Sequence, residues 1–189
     1  METALPQLES ARILLRLANQ DDVPAILDYY SKNRLHLAPF EPTKPSYFYT
    51  KTYWYEEIRN RLHEFRDDVS LKLFLFNQEN PKTIIGTLNF SNFIRGTFQS
   101  CTLGYGLAAA EQGKGYMTEA LKIAISYGFD ELNFHRIMAS YLPHNQRSGN
   151  LLKRLGFVVE GYARDYLMIN GHWQDHILTS LINHNWTSK

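Results

Sequence analysis

A single cysteine, Cys101, among 189 residues rules out a disulfide framework and points to a reducing compartment. It stands in a stretch that reads as a strand, so it is expected to be a buried packing residue rather than a reactive thiol. Charge of one sign is lacking as well. Twenty Lys and Arg against 19 Asp and Glu leave a net +1, and nothing in that balance points to DNA or a membrane surface as partner. No apolar run reaches the roughly 18 residues of a membrane helix, and METALPQLES has no basic segment followed by an apolar one. The expectation is a cytoplasmic protein. No GxSxG surrounds a serine and no CxxC pair offers a zinc site. His172 and His176 share a strand face but stand about 13 Å apart along it, too far to hold one ion with bonds near about 2.1 Å. No metal is expected.

What is present is apolar content of 44%, enough at this length for one sizeable core and short for two domains. The expected organisation is a tail over residues 1–9 and one domain over 10–185. Residues 11–17 read as a strand, Asn19 to Asp22 as capping side chains, and 21–33 as a helix with Pro24 in its first turn. A turn-rich stretch, LAPFEPTKPSYF, separates this from a second amphipathic helix at 50–66. The period then changes: 71–76, 83–94 and 100–107 read as consecutive antiparallel strands. A helix at about 115–131, a short strand HRIMASYL and a helix at 146–155 follow. The end, 158–182, reads as a hairpin whose Asn170–Gly171 turn is a type I′ signal. Periodicity alone gives a mixed α/β chain.

The stretch TLGYGLAAAEQGKGYMTEAL, 102–121, runs strand, tight turn, helix. A helix opening directly behind glycines aims unpaired N–H groups outward, and the helix dipole adds to their pull on an anion. Gly113 and Gly115 let a phosphate chain approach the main chain closely. Two other phosphate motifs fit badly. A P-loop needs Ser or Thr after its lysine, whereas Gly115 follows Lys114. Gly104, Gly106 and Ala109 match GxGxxA, but the helix starts too late to belong to that pattern.

QGKGYMTEAL at 112–121 resembles the coenzyme A loop of the GNAT superfamily of N-acetyltransferases, with Ala110 where that pattern has Gln or Arg. A second block, Asn145, Ser148, Leu151, Leu152, Arg154, Gly156 and Phe157, resembles the superfamily's NxxAxxLYxKxGF. The resemblance implies an α/β fold with a mostly antiparallel sheet of about seven strands and four helices. Two strands splay beside acetyl-CoA, so that residues 104–109 and 139–144 flank the thioester. NRLHLAPFEP at 33–42, NFSNFIRGTF at 89–98, HRIMASYLPHNQRSG at 135–149 and EGYARDYLMINGHWQDH at 160–176 look like the RimJ-type ribosomal-protein alanine N-acetyltransferases. The implied reaction moves acetyl from acetyl-CoA to the α-amine of an N-terminal alanine on a small-subunit ribosomal protein. A GNAT acetyltransferase acting on a small-molecule amine, and a non-catalytic module that binds RNA or ribosomes and keeps the fold, are the alternatives.

Under that resemblance Leu107, Ala108, Ala109, Gln112, Gly113, Lys114, Gly115, Tyr116, Met117, Asn145 and Arg154 are the expected cofactor contacts. An N–H from Leu107 to Ala109 is expected to polarise the thioester carbonyl. Asn145 would cap a helix and pair with a pantetheine amide; capping alone is the plainer reading. The tyrosine that many superfamily members use toward the leaving thiolate is Leu152 here, so Ser148, one turn back, becomes the candidate acid. Its alternative is a hydroxyl bonded to its own backbone. Glu41 is the candidate for receiving the substrate ammonium, against a plain solvated carboxylate. Tyr141, His144, Tyr162, Asp165 and Tyr166 are expected to wall the acceptor side.

Overall fold

The computed structural model describes residues 5–188. In chain order the strands are β1 (Gln7–Glu9), β2 (Ile13–Arg16), β3 (Leu71–Asn77), β4 (Asn80–Ile94), β5 (Ser100–Leu107), β6 (Arg136–Tyr141), β7 (Val158–Ile169) and β8 (His172–Ile182). The α-helices are α1 (Val23–Lys32), α2 (Arg34–Leu37), α3 (Lys51–Arg66), α4 (Tyr116–Asp130) and α5 (Gln146–Arg154). The strands form one sheet in the order β1-β2-β3-β4-β5-β6-β8-β7.

Among the described residues, eight strands and five α-helices thus stand where about seven and four were expected. The additions are short. Gln7–Glu9, inside the stretch expected to be a tail, pairs antiparallel with β2, Leu8 opposite Leu15; residues 1–4 of that stretch lie outside the described residues. Three residues cannot display a period of two. The one-turn α2 follows α1 directly, because the prolines that end helical structure begin only at Pro39. The α1 entry is built as its sequence suggests. The Asn19 side chain accepts from the Asp21 N–H at 2.9 Å, and Asp22 accepts from the Asn19 N–H at 2.7 Å. Asp22 also takes both Nη groups of Arg16, at 2.7 and 2.8 Å, which ties β2 to the helix start.

The middle of the sheet is apolar on both faces. On β3, Leu71, Leu73 and Leu75 join Ala120, Leu121 and Ala124 of α4 and Leu151 and Leu152 of α5. The alternate residues Phe74 and Phe76 join Ile26 and Tyr30 of α1 and Trp54 and Ile58 of α3. Strict alternation therefore glues a helical layer to each face, at about 1.5–3 kcal/mol for each large side chain fully buried. Cys101 lies in the first of these clusters, and burial pushes its thiol up to about 12. Among the described residues no helix is long and apolar enough to cross a membrane.

One defect in the sheet positions everything that follows. β5 and β6 run parallel and pair only at Ser100–Arg136, Cys101–Ile137 and Thr102–Met138. Beyond that point β5 stays with β4 as far as Leu107, and β6 stays with β8 as far as Tyr141. Each strand follows its outer neighbour, and sheet twist opens a gap between them. Asn170 and Gly171, at φ 47° and 80°, make the left-handed two-residue turn expected of the β7–β8 hairpin. The tip folds back on the 41–43 segment, where the Asn170 N–H donates to the Glu41 carbonyl at 3.0 Å.

Candidate active site

Gly113 and Gly115 both adopt left-handed backbone, at φ 78° and 85°, and Gly115 is the residue from which α4 starts. The first bond within α4 runs from the Glu119 N–H to the Gly115 carbonyl at 3.1 Å, so the N–H groups of 116–118 have no acceptor in the helix. A Cβ added at Gly113 would meet nothing within 4 Å. The loop therefore presents bare main chain to open space. Behind it, the Arg12 guanidinium donates to the Lys114 carbonyl at 3.0 Å and to Glu119 at 2.8 and 2.6 Å, and stacks on the Tyr116 ring at 4.7 Å. Desolvation pushes the Glu119 carboxyl up, but hydrogen bonds from Ser10 and Arg12 outweigh it and hold the group below the usual carboxylate range. This clamp fixes the loop from outside. Lys114 pairs with Glu111 at 3.0 Å.

The strand register decides which of the three candidate amides faces the gap. The Ala108 N–H donates to the Ile85 carbonyl at 2.8 Å, and the Ala109 N–H donates to the buried Asn33 side chain at 2.9 Å. Both are spoken for. Leu107 sits opposite Gly86 in a pair that makes no direct bonds across β4 and β5, because its neighbour Ala108 makes the ladder bond. Alternation in an antiparallel ladder then turns the Leu107 N–H away from β4 and into the gap. Asn33, which the sequence reading did not single out, thus settles the geometry of a turn 76 positions away.

A cleft of about 730 Å³ runs along the free end of β5, between the glycine loop with the start of α4 and α5. Of the residues expected to hold the cofactor or take part in catalysis, Glu41, Leu107, Gln112, Gly113, Gly115, Met117, Asn145, Ser148 and Arg154 line it. Ala108, Ala109, Lys114 and Tyr116 do not. Asn145 caps α5: its side-chain oxygen accepts from the Ser148 N–H at 3.2 Å. The Ser148 hydroxyl is bonded not to its own backbone but to the Tyr105 hydroxyl, 2.7 Å away on β5. Leu152 is fully buried in the core. Arg147, also in the lining, donates to the Gln112 side-chain oxygen, and the Gln112 amide meets the His36 ring nitrogen at 3.0 Å. Arg154 lies about two turns further along α5.

The other end of the cleft is lined from the 33–42 stretch. His36, Leu37 and Phe40 line it together with Glu41, whose carboxylate is ion-paired with Lys44. The five expected acceptor-side residues stand elsewhere. Tyr141 packs on α5, where a Cβ at Gly149 would come within 2.8 Å of its ring. His144 is outside the cleft lining, its ring centroid 6.2 Å from that of Phe40. Tyr162 donates to Asp175, and the Asp165 N–H donates to the same carboxylate at 2.9 Å. Tyr166 faces the His176 ring at 5.6 Å. These last three decorate the hairpin surface, where Tyr162 and Tyr166 are exposed.

A split parallel pair with a glycine-led helix start on one side, a capped helix on the other and a cleft between them is the arrangement that the acetyltransferase resemblance implies. The chain belongs to the acetyltransferase (GNAT) domain family, whose model matches residues 12–158. It is 44% identical over 181 residues to the [ribosomal protein uS5]-alanine N-acetyltransferase of Escherichia coli (strain K12), covering 96% of this chain and 93% of that protein. The crystal structure of the ribosomal-protein-S5-alanine acetyltransferase from Vibrio fischeri superposes with a TM-score of 0.91 at 38% identity, over 97% of this chain and all (100%) of that one. Mycobacterium smegmatis RimJ in complex with CoA-disulfide superposes with a TM-score of 0.86 at 25% identity, over 98% of this chain and 90% of that one.

Proposed function

We propose that the protein acetylates the α-amine of an N-terminal alanine on a small-subunit ribosomal protein, uS5 being the acceptor named for its E. coli relative, with acetyl-CoA as acetyl donor and in the cytoplasm. The donor suits the cleft. The free N–H groups of 116–118 and the open face of Gly113 offer a diphosphate what it needs, with Arg147 and Arg154 as further donors. The Asn145 amide would pair with the pantetheine arm, and the Leu107 N–H would meet the thioester carbonyl as charge develops on it.

The chemistry asks little else of the protein. An α-amine titrates near about 7.7–8.0, so a useful neutral fraction exists at physiological pH. Holding amine and thioester at attack distance is worth up to about 7–11 kcal/mol. The amine reaches the thioester from the side of α2, where Gly106 adds no side chain between the Leu37 end of the cleft and the gap. The carrying observation is that one cleft takes in both the glycine loop and the α2 end, along the strand that parts from β6. A polyamine acceptor would call for unpaired carboxylates, whereas Glu41, the one acidic residue lining the cleft among the described residues, is neutralised by Lys44.

Acetyl transfer measured on an alanine-initiated uS5 peptide, the same peptide with a blocked amine, and spermidine tests the reading. The free peptide alone is expected to react. Intact-mass spectrometry of ribosomal proteins from cells lacking this chain is expected to show one alanine terminus lighter by an acetyl group. Unchanged masses throughout, or preference for spermidine, would reject the acceptor.

A further inference from the structure

Ser148 is useful at the leaving group only if its proton, rather than a lone pair, faces the thioester sulfur. A hydroxyl rotor has three staggered positions, so something must choose among them. Tyr105 is the one side chain bonded to the Ser148 hydroxyl among the described residues, at 2.7 Å, and both residues line the cleft. Its ring packs against the core while its backbone is held in β5 opposite Leu88. Geometry allows either hydroxyl to donate, and the greater acidity of the phenol favours Tyr105 as donor and Ser148 Oγ as acceptor. One proton of the pair is used between the two oxygens. With Tyr105 as donor, the remaining one, on Ser148, is left for the cleft.

We propose that Tyr105 is a positioning residue for acetyl transfer: its hydroxyl fixes the Ser148 rotor so that the serine donates its hydrogen bond to the departing thioester sulfur. The inference rests on the acetyl-transfer reading above. The C–N bond forms as the C–S bond breaks, and the electron pair of the latter stays on sulfur, where the Ser148 hydrogen bond meets the growing charge. The surplus proton on nitrogen passes to solvent, and the thiolate later takes one from water. Neither hydroxyl is consumed. Burial pushes the Tyr105 phenol up to about 12, so it keeps its proton throughout the range in which an α-amine is neutral, and a thiolate of pKa about 8.5 does not strip it. The phenol comes here from a strand, since the α5 position that carries a tyrosine in many relatives is the buried Leu152.

The test compares Tyr105→Phe, Ser148→Ala and the double variant, using the full chain with acetyl-CoA and the alanine-initiated peptide. Each single change is expected to lower kcat about tenfold, the worth of one hydrogen bond, with the KM for acetyl-CoA and the melting temperature unmoved. The double variant is expected to be no slower than Ser148→Ala alone, because the phenol acts only through the serine. Unaltered turnover in Tyr105→Phe, or losses that multiply in the double variant, overturns the proposal. Wild-type protein that neither takes up acetyl-CoA nor acetylates the peptide would instead remove the reading beneath it.

Discussion

At the glycine loop the wall of the cleft is main chain, made by residues adjacent in sequence. At the Glu41 end it is side chains, delivered by α2 and held to the loop by the His36–Gln112 contact across 76 positions of sequence. The first kind of wall follows from backbone conformation and tolerates few substitutions. The second follows from how α1, α2 and the hairpin tip pack, and its chemistry can be varied without touching the donor site.

The comparison breaks most readily at Gly113. Gly113→Val places a β-branched side chain at φ 78°, where an L residue is strained by about 1–2 kcal/mol, and fills the space the diphosphate is proposed to take. Acetyl-CoA affinity by calorimetry is expected to fall at least about 100-fold, equivalent to about 2.7 kcal/mol, with only a modest fall in melting temperature. Retained affinity would mean that the loop is packing and not a cradle. Asn145 comes next. Asn145→Ala removes the α5 cap, costing about 1 kcal/mol of stability, and is expected to weaken acetyl-CoA about tenfold. Asn145→Asp keeps a capping oxygen but has no amide to donate. It should retain the melting temperature and lose the affinity; full affinity would reduce Asn145 to its structural role.

The same contrast explains what was legible beforehand. Capping residues, paired glycines and the Asn170–Gly171 turn act within a few positions, so the helix starts and the hairpin were readable from them. The expected seam between residues 104–109 and 139–144 is present as the parting of β5 from β6. Contacts across the fold leave no local signal. Nothing near Asn33 says that its amide will take the Ala109 N–H, and nothing near Tyr105 announces Ser148. Aromatic density drew attention to the hairpin, yet Tyr162, Asp165 and Tyr166 stand outside the cleft lining, while the less conspicuous His36, Leu37 and Phe40 line it. β1, at three residues, was below the length at which alternation can be seen.

A smaller effect is expected at the outer clamp of the loop. The Glu119 carboxyl is held below its ordinary value of 4.5, so its contribution to stability is complete above that pH and is lost as pH falls through the lower folded value. Arg12 is about half exposed, at 47%, which keeps the pair under about 1 kcal/mol. Glu119→Gln should flatten the acid limb of a melting-temperature profile below about pH 4.5 and weaken acetyl-CoA no more than about fivefold. An unchanged acid limb would show that the carboxylate is not held by Ser10 and Arg12 in solution.

The smallest effect sharpens the comparison from its other side. Tyr162 projects from β7 with its hydroxyl on Asp175, away from the cleft, and is 56% exposed. Tyr162→Phe should leave acetyl-CoA binding and turnover of a short alanine-initiated peptide within about twofold of wild type, as for surface changes generally. A folded ribosomal protein is a larger acceptor than that peptide, and it extends past the cleft mouth. If the same change slows turnover of the intact protein but spares the peptide, the hairpin is part of the acceptor-binding surface, and the side-chain wall reaches beyond the cleft. Equal rates on both acceptors confine recognition to the residues around Glu41, because a contact made only outside the cleft has no other way to distinguish them.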